Sequence, residues 1–154
     1  MSPRLRRLHA DYQRVYYGFE NHPHIKLLSV EGNPPEKYTF LFTLRGLVPF
    51  GDGSCQVGLS HKAEVYLPQD YPRRAPFCRM ITPVFHPNID PAKICIGDHW
   101  SADQSLAHLI VRIAEMLCYQ SYNVKSPLNA RAAAWAEEHQ GGLPLEQVDL
   151  AAGL

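Results

Sequence analysis

Between Ile25 and Thr82 the apolar residues return at every second position in short runs, and this alternation restricts the fold more than any other feature of the chain. Tyr38, Phe40, Phe42 and Leu44 alternate with Thr39, Thr43 and Arg45, the pattern of a strand with one buried face. Ala63, Val65 and Leu67 alternate in the same way with Lys62, Glu64 and Tyr66. Ile25 to Val30 and Phe77 to Thr82 are two further candidate strands. Gly32-Asn33-Pro34-Pro35 closes the first of the four, and Pro49 to Ser54 reads as a loop with two glycines. Successive strands on such short connections imply a four-stranded antiparallel meander, because parallel neighbours need long crossovers.

Helical periods flank the strands. Ser2 and Pro3 suit an N-cap and a first helical position. Leu5, Leu8, Tyr12, Val15, Tyr16 and Phe19 then recur every three or four residues, which predicts a helix over about 3–19, ended by Asn21-His22-Pro23. Leu106, Leu109, Ile110, Ile113 and Leu117 mark the most apolar helix, whose expected place is over the sheet as the core helix. Asn129 to His139 is a closing helix capped by Asn129 and stopped by Gly141-Gly142. The resulting class is α+β, with one domain over residues 1–140 and a poorly ordered C-terminal tail over 141–154. From Thr82 to Asp103 no period appears, and irregular segments of that length in a compact domain are usually functional.

Composition narrows the function classes. Fifteen basic and fifteen acidic residues cancel, so no global field points to nucleic acid. Cys55, Cys78, Cys95 and Cys118 form no C-x-x-C pair, and the histidines show no metal-ligand spacing, so no metal site is expected. With 154 residues and 45% apolar, aromatic and sulfur residues, the chain has core enough to need no disulfide. The N-terminal arginines precede no apolar stretch, and no run approaches the ~18 apolar residues of a membrane span. The expectation is a cytoplasmic protein with no membrane partner.

The irregular segment holds the chemistry. His86-Pro87-Asn88 is followed by Ile94-Cys95-Ile96 and Trp100-Ser101, and Ser126-Pro127-Leu128-Asn129 lies beyond the core helix. A thiolate forms a thioester that stays reactive toward amines, and a nearby amide N–H can steady an oxyanion. Cys78 and Cys118 fall in apolar runs and read as core thiols, while Cys55 sits in a loop with nothing chemical around it. Cys95 is therefore the candidate nucleophile.

Taken with Tyr71-Pro72-Arg73-Arg74-Ala75-Pro76 upstream, the order of these motifs from about Pro3 to His139 resembles the ubiquitin-conjugating enzymes. The resemblance implies an α+β fold of that family. It also implies transfer of a ubiquitin-like protein from an activating enzyme to Cys95, then to a lysine or another amine, with no metal or organic cofactor. It gives Asn88 an oxyanion or loop-ordering role and puts Ser126 at the mouth, to orient the amine. His86, Pro87, Trp100 and Tyr71 become supporting residues, with Tyr71-Pro72 a candidate cis bond; Asp98 and His99 are weaker candidates for proton handling. The first helix becomes the docking face for the activating enzyme, with Arg4, Arg6, Arg7 and Arg14 outward.

Some features depart from the family. The gap from Asn88 to Cys95 is one residue short, and that from Cys95 to Trp100 about three. Arg73 and Ser101-Ala102-Asp103 stand where RING-type ligases are usually met, which puts recognition of such a ligase in doubt. The compactness fits a pared-down, prokaryotic pathway without a separate ligase. Two rival readings remain at this point. One is a non-catalytic variant that binds ubiquitin-like proteins; the other is a cysteine hydrolase pairing Cys95 with His61, His86 or His99.

Overall fold

The computed structural model describes residues 1–96 and 100–154. It opens with helix α1 (Pro3–Phe19), where the Ser2 hydroxyl accepts from the Leu5 N–H and Pro3 takes the first turn. Six strands follow: β1 (Ile25–Gly32), β2 (Pro35–Phe42), β3 (Gly46–Pro49), β4 (Cys55–Gly58), β5 (His61–Tyr66) and β6 (Phe77–Met80). After the irregular segment come α2 (Leu106–Leu117), α3 (Ala130–Glu138) and a 3-10 turn, Gln140–Gly142. β1, β2, β5 and β6 form one antiparallel sheet in that order, the meander expected from the alternation.

A second sheet has no counterpart in the sequence pattern. β3 and β4 pair as a hairpin inserted between β2 and β5, around a loop over 50–54, so that Pro49, expected in the loop, closes β3 instead. Each strand has only four residues and no alternation of burial, so the two-residue period never shows. Cys55, expected in a loop, opens β4 and is half-buried. Leu47, Phe85, Tyr119, Ala132 and Ala136 make a small core beneath α3, separate from the main core between the sheet, α1 and α2.

α2 is apolar nearly all round, as a helix surrounded by protein should be. Leu106, Leu109, Ile110, Ile113, Leu117 and three alanine or valine neighbours are all buried, and Ser105 caps the N-terminus through the His108 N–H. α3 is capped by Asn129, whose side-chain oxygen accepts from the Ala132 N–H.

α1 corrects the expectation of an arginine-lined outer face. Its buried line is Leu8, Asp11, Val15 and Phe19. At 100° per residue Tyr16 lies about 80° round from Leu8 and Leu5 about 60°, so both, expected in the core, emerge at the surface. Arg4 lies only about 40° from Leu8 on the other side, and it bonds to the carbonyls of Pro68 and Gln69 and to Glu36. Arg7 is drawn in further. Its guanidinium pairs with Asp11 at 2.8 Å, donates to the Ala102 and Gln104 carbonyls and lies 5.2 Å from the Tyr71 ring centre. Arg6 and Arg14 remain exposed.

Asp11 is the hub of this arrangement. One carboxylate oxygen accepts from Tyr71 Oη at 2.5 Å as well as from Arg7, and the other accepts from the Leu106 N–H at the start of α2. The sheet-side turn, α1 and α2 therefore meet on one buried charge. Removing one partner of a buried ion pair strands the other. Asp11→Ala is expected to destabilise the fold by about 3 kcal/mol in chemical denaturation; a loss below about 1 kcal/mol, the range of an exposed pair, would show that the hub adds nothing.

The residues after α3 do not behave as the free tail expected of 141–154. Leu150 is buried in the main core, and its carbonyl lies 2.7 Å from His22 Nε2. Gln120 Nε2 donates to the Glu146 and Val148 carbonyls, and Glu146 accepts from the Arg45 N–H. The buried Leu150 side chain and four polar ties anchor the segment. Among the described residues no helix is long and apolar enough to cross a membrane.

Candidate active site

Ile94 and Ile96 are buried, so the residue between them must face outward, and Cys95 is exposed. The Ile94 N–H donates to the Cys78 carbonyl of β6, and the Cys95 N–H donates to the Asn88 carbonyl at 2.9 Å. The thiol is thus presented from a backbone fixed on both sides. Cys78 and Cys118 are buried, as expected of core thiols; burial pushes the Cys78 thiol up to about 12.

Asn88 is half-buried and joined to a loop 35 residues away by a reciprocal pair. Its Nδ2 donates to the Asn123 carbonyl at 2.8 Å, and its Oδ1 accepts from the Asn123 N–H at 2.9 Å. The amide thus pins the segment after α2 across the site, with one N–H of the NH2 group engaged and a second in addition. Lys125 N–H in turn donates to Asn123 Oδ1, and Pro87 O accepts from the Leu128 and Asn129 N–H groups. A cavity of about 590 Å³ lies between the two segments, lined by Asn88, Cys95, Arg112, Tyr122, Lys125 and Ser126, among others. Ser126 is exposed and left-handed, with φ 52°.

His86 sits below the floor. It is 1% exposed, its Nδ1 accepts from the Asn88 N–H, and its ring lies 4.8 Å from that of Tyr119. Burial pushes its pKa down to about 4, with the Met116 backbone opposing weakly. It is a neutral brace and a poor base near pH 7. The unfolded chain takes up a proton near pH 6.5 that the folded chain refuses until about pH 4. The stability from this group is present above about pH 6.5 and is lost as pH falls through that window, by up to about 1.4 kcal/mol per pH unit. Burial of His61 acts in the same direction. Denaturation midpoints measured from pH 7 to 4.5 should fall accordingly, and the His86→Asn variant should show a shallower slope. Equal slopes for the two proteins would refute the assignment.

Trp100 donates from its indole N–H to the Pro72 carbonyl at 2.8 Å and packs 5.6 Å from the Tyr71 ring. Tyr71–Pro72 is cis, as expected for the supporting turn. Asp98 and His99, singled out for proton handling, lie outside the described residues. Of the arginines singled out for docking, only Arg6 and Arg14 are free of the fold's own bonds to other elements.

The structure brings Cys95, Asn88 and Ser126 to one cavity, as the motif order anticipates. Asn123, Tyr122 and Arg112 escaped the sequence reading. An exposed asparagine and a half-buried tyrosine in an irregular loop carry no periodic signal, and the pairing of Asn123 with Asn88 exists only through the fold. Arg112 is hidden in the run of apolar α2 residues.

Comparison with known proteins agrees with this geometry. The chain is 35% identical over 98 residues to the yeast Saccharomyces cerevisiae ubiquitin-conjugating enzyme E2 13, covering 60% of this chain and 59% of that protein. It is 38% identical over 79 residues to the Drosophila melanogaster ubiquitin-conjugating enzyme E2 N, covering 48% and 51% respectively. The match thus spans little more than half the length of these curated relatives. A solved structure from Plasmodium yoelii, described as a ubiquitin conjugating enzyme, superposes with a TM-score of 0.65 over 92% of this chain and 88% of its own; at 20% identity it shows the shared fold. The family model of the ubiquitin-conjugating enzymes matches residues 20–142, which take in the sheet, the candidate site and α3, and the chain belongs to that family.

Proposed function

We propose that this protein accepts ubiquitin or a ubiquitin-like protein from an activating enzyme as a thioester on Cys95 and passes it to a lysine amine. The observation that carries this reading is the exposed Cys95 on the wall of the cavity that Asn88 and Ser126 also line. In the first step the Cys95 thiolate attacks the activating enzyme's thioester, and that enzyme's thiolate leaves. In the second an amine attacks the new thioester, and Cys95 departs as a thiolate once the tetrahedral oxyanion collapses. Asn88 holds the wall opposite the thiol and has an N–H to offer that oxyanion. Ser126 orients the amine at the mouth; a hydroxyl does this without acting as a strong base.

The hydrolase reading loses support for two of its three candidate histidines, His61 and His86. His61 is buried with its Nε2 against the Gly58 carbonyl, and His86 is buried, with its Nδ1 committed to Asn88. Residues 1–140 act as the conjugating domain, with 141–154 packed on it, in a reducing cytoplasm where all four cysteines stay free. Mixing the protein with activating enzyme, ATP and a ubiquitin-like protein should give an adduct that thiol reductants release. A binding module would give no adduct, and a hydrolase would instead cleave a ready-made conjugate.

The activating enzyme meets α1 on the surface left by the fold: Arg6 and Arg14 together with Leu5, Tyr16 and Tyr17. Exposed charges at an interface mainly raise the association rate and are screened by salt. Arg6→Glu combined with Arg14→Glu should slow charging several-fold at low ionic strength and leave discharge to free amine unchanged. Equal charging rates would make these arginines ordinary solvated surface. Arg7 is unsuited to this test, because charge reversal there would break the Asp11 hub.

A further inference from the structure

The end of α2 departs from what helix termini usually choose. The Gln120 N–H donates to the Glu115 carbonyl and the Tyr119 N–H to the Met116 carbonyl, the paired bonds of a Schellman turn with Tyr119 at its left-handed position. Tyr119 has φ 61°, a conformation that glycine adopts without a Cβ penalty and that an aromatic residue rarely takes. An outlier of this kind persists where its side chain is held by the surroundings, and such outliers concentrate at working sites.

The Tyr119 side chain is held by the turn that carries Asn88. Its Oη donates to the Phe85 carbonyl at 2.7 Å, immediately before His86, and its ring lies against the His86 imidazole at 4.8 Å. Its ring meets that of Tyr122 edge to face, 5.2 Å between centres, on the cavity wall. His86 in turn accepts the Asn88 N–H, and the Asn88 carboxamide grips Asn123 on the far side. A continuous chain of contacts therefore runs from Tyr119 through His86 to Asn88, and Asn88 closes it on the loop that begins at Tyr119.

We infer that Tyr119 is a positioning residue for the transfer step: from the strained end of α2 it sets the His86-Pro87-Asn88 turn and the facing wall that Asn88 must hold while the thioester at Cys95 is aminolysed. The inference rests on the thioester reading above. It assigns to Tyr119 no contact with the modifier or the amine.

Two variants separate positioning from helix capping. Tyr119→Phe removes the bond to Phe85 and keeps the ring; Tyr119→Gly suits the left-handed backbone and removes the side chain. In single-turnover discharge of preformed thioester to free lysine, Tyr119→Phe should be slower by about fivefold, the value of one lost hydrogen bond, and Tyr119→Gly slower still. Charging rates should be unchanged. In the Asn88→Ala background, Tyr119→Phe should add nothing further, because it acts through Asn88. Wild-type discharge by both variants, or fully additive losses with Asn88→Ala, would overturn the inference. Amide hydrogen exchange on the uncharged protein tests it without any thioester. Exchange at the Asn123 N–H, held by Asn88 Oδ1, should quicken several-fold in Tyr119→Phe, and an unchanged rate would also overturn it. Failure of the wild-type protein to charge would sink the thioester reading instead, and exchange at Asn123 would then decide the role of Tyr119.

Discussion

Replacing Cys95 with alanine should abolish charging altogether, while replacing it with serine should yield an adduct that survives thiol reductants. The reason is one of both access and chemistry. Cys78 and Cys118 are buried and Cys55 is half-buried, so none of the three can meet the bulky thioester of another protein as Cys95 can. Burial also raises all three of those thiols, which lowers the thiolate fraction that does the attacking. The oxyester formed by the Cys95→Ser protein would resist attack better than a thioester, because an alkoxide is the poorer leaving group. Time courses of adduct formation, read on gels with and without reductant, check both variants. The Cys55→Ala protein should charge like the wild type. If Cys95→Ala still forms a reductant-sensitive adduct, the candidate site is misplaced.

The second large effect is expected at Asn88. With Asn88→Ala, charging should stay near the wild-type rate while discharge of the thioester to free lysine slows on the order of 10²-fold, the lower bound for losing one oxyanion donor. The same substitution removes both bonds to Asn123, so the cavity wall loosens as well. Asn88→Asp separates the donor role of the amide from its acceptor role. Aspartate keeps an acceptor for the Asn123 N–H but has no N–H for the Asn123 carbonyl or an oxyanion. A discharge rate for Asn88→Asp near that of alanine assigns the effect to the lost donor; recovery toward wild type assigns it to the acceptor that holds the loop. Wild-type discharge by a folded Asn88→Ala protein would reduce Asn88 to a turn residue.

The meander, the two capped outer helices and the apolar core helix were legible because each rests on a local rule. Alternation at Tyr38, Phe40 and Phe42 needs only a buried face, and Ser2 and Asn129 cap helices through bonds three residues away. The β3–β4 hairpin was illegible because four-residue strands are too short to show a period. On α1 the apolar spacing misled, since Asp11 lies on the buried line while Tyr16 lies off it. A carboxylate goes inside only when partners are brought to it, and Arg7, Tyr71 and the Leu106 N–H come from three places in the chain.

The site divides the same way. Cys95 between Ile94 and Ile96 is fixed by sequence, because flanking side chains that seek the core turn the middle one outward. The motif order supplies Asn88 and Ser126 as candidates, but their shared cavity, the Asn88–Asn123 pair and the left-handed Tyr119 under His86 come from tertiary structure alone. Those features depend on bonds across tens of residues and on a backbone conformation tolerated only because packing holds it. A sequence states local preferences; it cannot state which distant carbonyl will meet an amide once the chain has closed.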